Sequence, residues 1–270
     1  MPTDPRASAP RTTLVDDVYE SVKAQVMDLV IAPGARVNIE ALARDLDVSP
    51  TPVREALARL ESDGLVRKRA MSGYTASPLL TRAQFEQLCQ LRAFLEVPAA
   101  RLAAGHPDAA RRTALLDAAR PPSTDIDPSR YRRYAPFTAH DAAFHDAVAR
   151  LSGNPMLADT IARLHAHLHL HRLYLPGGPT GHTAAEHRAV AAAIAAGDPD
   201  AAAGAMAEHL TAARARHRVA FNNTPTDTTT DTTVAASDDD TTVACRDNET
   251  TVAASDNDTT VACRDDDTKE

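Results

Sequence analysis

Aromatic residues are scarce in this chain of 270 residues, at 4% of the total, and tryptophan is absent. A core assembled from alanine, leucine and valine favours closely packed helices over sheets, whose pleated faces draw on aromatic and β-branched side chains. Cysteine is also rare. Of the three, Cys89 stands alone, and Cys245 and Cys263 recur inside a repetitive tail. Neither a disulfide framework nor zinc-finger spacing is present, so a reducing cytoplasm is the expected compartment. Long apolar runs are missing too. No stretch approaches the roughly 20 residues that span a bilayer, and residues 1–13 lack the apolar segment of a signal peptide. No membrane partner is expected.

A bulk excess of positive charge is likewise lacking: the net charge is −8. Its distribution matters more than its size. From Asn222 onward there are 13 acidic and 3 basic residues, a local charge of −10 that leaves +2 for residues 1–221. Any contact with nucleic acid must therefore come from a local basic patch rather than from the field of the whole chain. The acid sits in four nine-residue repeats, TTVAASDDD (232–240), TTVACRDNE (241–249), TTVAASDND (250–258) and TTVACRDDD (259–267). Each carries little beyond one Val-Ala pair to bury, so a disordered, solvated tail is expected over 222–270. An acidic decoy competing with DNA is the alternative.

What is present is a well-specified helix at Ser49–Leu65. Ser49 is placed as an N-cap, Pro50 and Pro52 suit a first turn, and Gly64 is placed to end the helix in a left-handed turn. Val53, Ala56, Leu57 and Leu60 form one apolar stripe, with Thr51, Arg54 and Arg59 off it. Before it, a helix is expected from Asp16 until Pro33-Gly34 stops it. A short helix capped by Asn38 then buries Ile39, Leu42, Ala43 and Leu46. Two short helices joined by a tight turn make a helix-turn-helix, whose second helix enters the major groove. The Arg67-Lys68-Arg69 run, a Ser72-Gly73 turn and Tyr74-Thr75-Ala76 read as a β-hairpin wing near the DNA backbone.

After Ser77-Pro78 the pattern is helical to about Phe221, giving six or seven helices and no strand. Thr81 and Gln84 form a capping box opening a helix to about Ala104, with a kink or break expected near Leu95 because of Pro98. Helices follow over 108–119, Tyr134–Ser152, Asn154 to about Leu175, Thr183–Gly197 and Asp198 to about Phe221, with loops at Pro121–Ser129 and Pro176–Gly181. Histidine carries the chemistry here. Asp141 and His145 lie four apart on one face, and His187 and His209 interrupt alanine-rich helices. One carboxylate and three imidazoles suit a first-row divalent metal with positions left for a ligand, although isolated helix histidines also occur without metal. A second cluster, His165, His167, His169 and His171, alternates through LHAHLHLHRLY; on a helix it splits between two faces, as pocket lining or as an ordinary mixed interface.

The segment LARDLDVSPTPVREALARLESDGLV, Leu42–Val66, resembles the winged-helix signature of GntR-family bacterial transcription regulators. The resemblance implies DNA contacts from Ser49, Thr51, Arg54 and Gly73. Pro50 departs from the pattern, since many members carry arginine there, and Glu40 stands where some have a phosphate-binding arginine. D-x-x-F-H, the Asn-Pro cap, H-R-A-V-x-x-A-I-x-x-G-D and a final histidine are similar to the FCD effector domain of the FadR subgroup. That likeness implies metal ligation by Asp141, His145, His187 and His209, with zinc, nickel or manganese as the ion and a small carboxylate as the effector. Arg92, in the R-x-x-L-E helix, is a candidate effector-binding cation, with a surface salt bridge as the alternative.

The expected protein is mainly α: a disordered arm (1–13), a winged helix-turn-helix (14–78), a helical FCD-like domain (79–221) and the acidic tail. It would act as a homodimeric, ligand-responsive repressor on double-stranded operator DNA, since one short recognition helix reads few bases and a two-fold pair reads a pseudo-palindrome. A metal-dependent enzyme fused to a winged helix, and an FCD domain with purely structural metal, are the rival readings.

Overall fold

The computed structural model describes residues 13–71, 73–121, 129–173 and 181–221. The arm before Thr13, the loops read at Pro121–Ser129 and Pro176–Gly181 for the most part, and the repeats after Phe221 lie outside the described residues.

Helix α1 (Leu14–Met27) starts two residues earlier than expected. Thr13 belongs to it as a cap: its hydroxyl accepts from the Asp16 amide, and the Asp16 carboxylate accepts from the Thr13 amide. Strand β1 (Arg36–Val37) precedes α2 (Ile39–Asp45), whose first turn is capped by Asn38 Oδ1 accepting from the Ala41 amide at 3.0 Å. After the turn comes α3 (Pro50–Ser62), then β2 (Val66–Arg69) and β3 (Gly73–Ala76). The sheet has three antiparallel strands in the order β1-β3-β2, with Val37 opposite Tyr74 and Lys68 opposite Tyr74 on the other side. The wing is thus a hairpin plus a third strand. Two residues are too few to show a period-2 pattern, which is why β1 is not legible in the sequence.

The apolar stripe of α3 behaves as expected: Val53, Ala56, Leu57 and Leu60 are fully buried against α1. Gly64 has φ +74° and ends the helix in the left-handed region. Arg59, off the stripe, is not free. It pairs with Asp16 at 2.7 Å and lies over the Tyr19 ring, which ties α3 to α1.

Seven helices follow: α4 (Arg82–Ala104), α5 (Ala109–Ala118), α6 (Tyr131–Leu151), α7 (Pro155–Arg163), α8 (Ala166–Leu173), α9 (Gly181–Ala196) and α10 (Pro199–Arg218), with a final 3-10 turn to Phe221. Helix α10 lies along α4 and α9, and Ala100, Phe144, Val190, Ile194 and Met206 fill the centre of the bundle. The small residues of α4, α9 and α10 allow this close approach.

Three expectations need correction. Helix α4 runs unbroken through Pro98, because its neighbours α6, α9 and α10 hold both sides of the proline. Helix α6 begins at Tyr131, not Tyr134; its first amide donates to Asp28 Oδ1 at 2.6 Å, a long-range partner that extends the helix by a turn. The single helix expected from Asn154 is two. It breaks at Leu164-His165, where His165 takes φ +44°, an unfavourable backbone for a residue bearing a Cβ. No glycine or proline marks the break; long-range contacts of α8 impose it.

The described winged and helical segments belong to one compact unit. Tyr131 and Tyr134 of α6 and Leu168 of α8 pack into the core of the winged part.

Candidate metal centre and nucleic-acid interface

Helix α3 presents its N-terminus outward, with Ser49, Thr51 and Arg54 exposed, and Gly73 (φ +76°) sits exposed at the start of β3. The hydroxyl of Ser49 does not cap the helix. A capping hydroxyl bonds the second or third helical amide, and here the third residue is Pro52, which has none. The hydroxyl is left over for another partner. Beneath Arg54 runs a groove of about 520 Å³ bordered by Arg36, Glu40, Arg54 and Gly73. Glu40 lies 3.7 Å from the Arg54 guanidinium. Both side chains are more than half exposed, so the pair is weak and Arg54 can leave it. The wing residues Arg67, Lys68 and Arg69 are exposed beside this face.

The second site forms where α4, α6, α8, α9 and α10 converge. Asp141 and His145 (α6), His187 (α9) and His209 (α10), the four residues singled out by spacing, are all buried and meet. His145 Nε2 and His209 Nε2 are 3.1 Å apart, His187 Nε2 is 3.3 Å from Asp141 Oδ1, and His145 Nε2 is 4.0 Å from that oxygen.

Their outer atoms are held by residues that spacing did not single out. Glu186 Oε2 accepts from His209 Nδ1 at 2.8 Å and is fixed in turn by Arg216 at 2.6 and 2.8 Å. Glu96 Oε2 lies 2.5 Å from His145 Nδ1, off the axis of an ideal hydrogen bond but the nearest carboxylate to that nitrogen, and Arg92 grips Glu96 at 2.6 and 3.2 Å. Asp141 Oδ2 takes His167 Nδ1 at 2.7 Å, with His171 Nε2 at 3.6 Å. His171 also meets the Thr138 hydroxyl at 2.8 Å. The i,i+4 spacing of Arg92 and Glu96, and Glu186 beside His187, were the signals available for this outer shell.

The electrostatics follow. Burial raises the Glu96 and Asp141 carboxyls, but Arg92 and His145 outweigh it at Glu96, and His167 and His187 at Asp141, so both stay well below the ordinary range. Glu186 is raised by burial and brought down to about 2 by His209 and Arg216. Burial pushes His145 down to about 3, against the pull of Glu96, and lowers His209 as well. Both rings are then neutral at pH 7, with Nδ1 of each lying toward a carboxylate.

The 3.1 Å contact between His145 Nε2 and His209 Nε2 is a hydrogen bond whose direction depends on the tautomer. Close by, Asp141 Oδ1 and His187 Nε2 are buried with no hydrogen-bond partner. His145, His187 and His209 form one group whose donor atoms could hold a metal ion, and Asp141, His145 and His167 form a second that shares His145. Imidazole and carboxylate donors suit a first-row divalent cation, and carboxylates behind two of the imidazoles are the usual outer support. The residues present fit such an ion.

Arg92 is 4% exposed, and its guanidinium is committed to Glu96. It does not line the cavity of about 450 Å³ that opens beside His145 and His167. Of the histidine-rich segment, His167 and His171 face the cluster, while His169 packs on Gly64 of the winged part.

Comparison with known proteins agrees with this architecture. Residues 14–75 match the model of the bacterial regulatory proteins of the gntR family, and residues 87–212 match the FCD domain. An HTH-type transcriptional regulator in an unstable DNA locus of Streptomyces ambofaciens is 32% identical over 204 residues, 73% of this chain and 81% of that protein. A relative from Paenarthrobacter nicotinovorans, named "Probable D-xylose utilization operon transcriptional repressor", is 29% identical over 75% of this chain and 88% of its own length. The solved structure of E. coli McbR/YncC shares the fold, with a TM-score of 0.58 at 23% identity over 78% of this chain and all of the other. This chain belongs to the GntR family of bacterial regulatory proteins, with an FCD domain behind its winged helix, and is a ligand-responsive, DNA-binding transcriptional regulator rather than an enzyme.

Proposed function

We propose that this regulator is a cytoplasmic homodimeric repressor whose operator affinity is set by a small carboxylate bound at a metal centre. In this reading Asp141, His145, His187 and His209 hold a divalent zinc, nickel or manganese ion, which supplies a Lewis-acidic site for the effector's carboxylate. Glu96 and Glu186 orient two of the imidazoles, and Arg92 acts through Glu96 rather than on the effector. Ser49, Thr51 and Arg54 read the operator, with Gly73 and the wing cations on the backbone. The relative named for repression of a D-xylose operon supports the repressor sense.

The observation that supports the reading is the convergence of four buried donor atoms, two of which, Asp141 Oδ1 and His187 Nε2, have no hydrogen-bond partner, and their link to the winged part through α8. His167 and His171 of that helix touch Asp141, and Arg172 on the same helix donates to the carbonyls of Val26 (3.2 Å) and Ser77 (2.7 Å). A ligand that pulls on Asp141 therefore moves an element fixed to α1 and to the linker, and can shift the DNA-competent population.

The test is metal analysis and thermal melting of the purified chain with small carboxylates, with D-xylose as a neutral control. Anisotropy on an operator selected from random duplexes follows. About one metal per chain and a carboxylate-dependent rise in Tm, lost with chelator, are expected, together with weaker operator binding. A chain that binds no divalent metal overturns the reading, and an effector response that survives metal removal makes the ion structural.

A further inference from the structure

Asp141 turns its two oxygens to different neighbours. Oδ1 faces His187 Nε2 at 3.3 Å and His145 Nε2 at 4.0 Å, whereas Oδ2 meets His167 Nδ1 at 2.7 Å. The donor atoms divide along the same line. Those of His145, His187 and His209 lie within 4.8 Å of one another, and so do those of Asp141, His145 and His167. Asp141 thus closes a group with a residue of α8 that helical spacing did not single out. His171 Nε2, 3.6 Å from the same oxygen, completes neither group.

The second group is as enclosed as a built site requires. Its side chains are 9% exposed for Asp141, 1% for His145 and 11% for His167. Its chemistry also differs from that of the first. Three imidazoles suit zinc, copper or nickel, while one carboxylate with two imidazoles is a harder set that also takes iron(II) or manganese and leaves coordination positions open.

We propose that this chain has a second position for a divalent cation, held by Asp141, His145 and His167, beside the one formed by His145, His187 and His209. The inference rests on the reading of this cluster as a metal centre and adds His167 to it as a donor. A neutral imidazole has one lone pair to give an ion, so His145 serves one position at a time. The proton between His167 Nδ1 and Asp141 Oδ2 stands where the second ion position draws its donors. On binding, that proton passes from Nδ1 to Nε2 of the ring, and the freed lone pair ligates. An ion there is bonded directly to α8, whose Arg172 donates to the carbonyls of Val26 and Ser77. The position of the ion, and not its presence alone, is then felt in the winged part.

The experiment uses the full chain and metal alone. Zinc affinity is read by competition with a chromogenic chelator in wild type, in His187→Ala/His209→Ala, and in that double variant with His167→Gln added. Substoichiometric copper(II) in the same three proteins reports the number of bound imidazoles by pulsed electron paramagnetic resonance. The double variant should still bind about one ion, at least a hundredfold more weakly than wild type, with about two imidazoles on copper. Adding His167→Gln should weaken zinc a further tenfold or more and remove one imidazole. Glutamine can still donate to Asp141 but has no imidazole nitrogen, so unchanged affinity and imidazole count would leave His167 as a positioning residue and overturn the proposal. A folded double variant that binds no zinc overturns it too. Should circular dichroism show the double variant unfolded, the comparison passes to His209→Ala with and without His167→Gln, where the same loss of one imidazole is expected and its absence is decisive against. Wild type that binds no divalent ion sinks the metal-centre reading and this inference together; the other adverse outcomes sink the inference alone.

Discussion

Single atoms decide how the residues of both sites work. Pro52 has no amide for the Ser49 hydroxyl to cap, so a residue that reads as a structural cap is left for the DNA face. Glu40 neighbours Arg54, so the guanidinium proposed to read bases is loosely held. Arg54→Ala is expected to weaken specific operator binding by about 1–3 kcal/mol, roughly five- to 150-fold, while metal content and oligomeric mass stay as in wild type; anisotropy and metal analysis check both. At the proposed metal centre, His209→Ala removes one inward donor and leaves Glu186 to its pair with Arg216. Metal affinity should fall at least a hundredfold, read by competition with a chromogenic chelator; wild-type affinity would show that His209 is no ligand.

Helix α8 is the element on which the two halves meet. One face reaches Asp141, and the other, through Leu168, His169 and Arg172, reaches the winged part. Replacing Arg172 with Met should leave metal content and unliganded operator affinity within about threefold, but cut the effector-induced change in operator affinity at least fivefold, because the anchor rather than either site is lost. Gly64 marks the other side of this contact. Its φ of +74° is poor for alanine, and an added Cβ would stand 3.1 Å from His169 Nε2. Gly64→Ala is therefore expected to destabilise the chain by about 1 kcal/mol or more, measured by urea denaturation.

Across the whole molecule, the buried histidines tie folding to pH. Burial pushes His145 and His171 down to about 3 and His169 and His217 down to about 4. These rings stay neutral in the folded state but take up protons near pH 6.5 when the chain unfolds. Above that pH they contribute no pH dependence. Below it, stability falls by up to about 1.4 kcal/mol per pH unit for each, until the folded values are reached. The depressed carboxyls of Glu96 and Asp141 add to the loss only below about pH 4.5. Metal-free protein melted at pH 7, 6 and 5 should show a Tm flat at the top of this range and falling below it; a Tm that rises as pH drops from 6 to 5 would contradict the burial of these rings.

How much of this was legible depends on the range of the interaction. Caps, stripes and turns act over three or four residues, so α2, α3, the wing hairpin and the helical character of the second segment can be read from Asn38, the Val53–Leu60 stripe, Gly64 and the later proline and glycine stops. The seventh helix comes from a break that the sequence does not mark. The buried cluster proposed as the metal centre was legible because Asp141 and His145 share a helical face and because the motif resembles that of known regulators. What lay beyond reach depended on partners far along the chain. The α7–α8 break follows from His167 reaching back to Asp141 and Arg172 reaching Val26 and Ser77. The first turn of α6 follows from Asp28. Arg92 is buried against Glu96, since only packing sets which charges lie together and which are shut from water. The sequence by itself therefore determined the helices, the winged motif and the metal-binding residue types. Only the tertiary structure decided which carboxylate stands behind each imidazole and which helix joins the two sites, because desolvation and long-range hydrogen bonds exist only once distant segments are brought together.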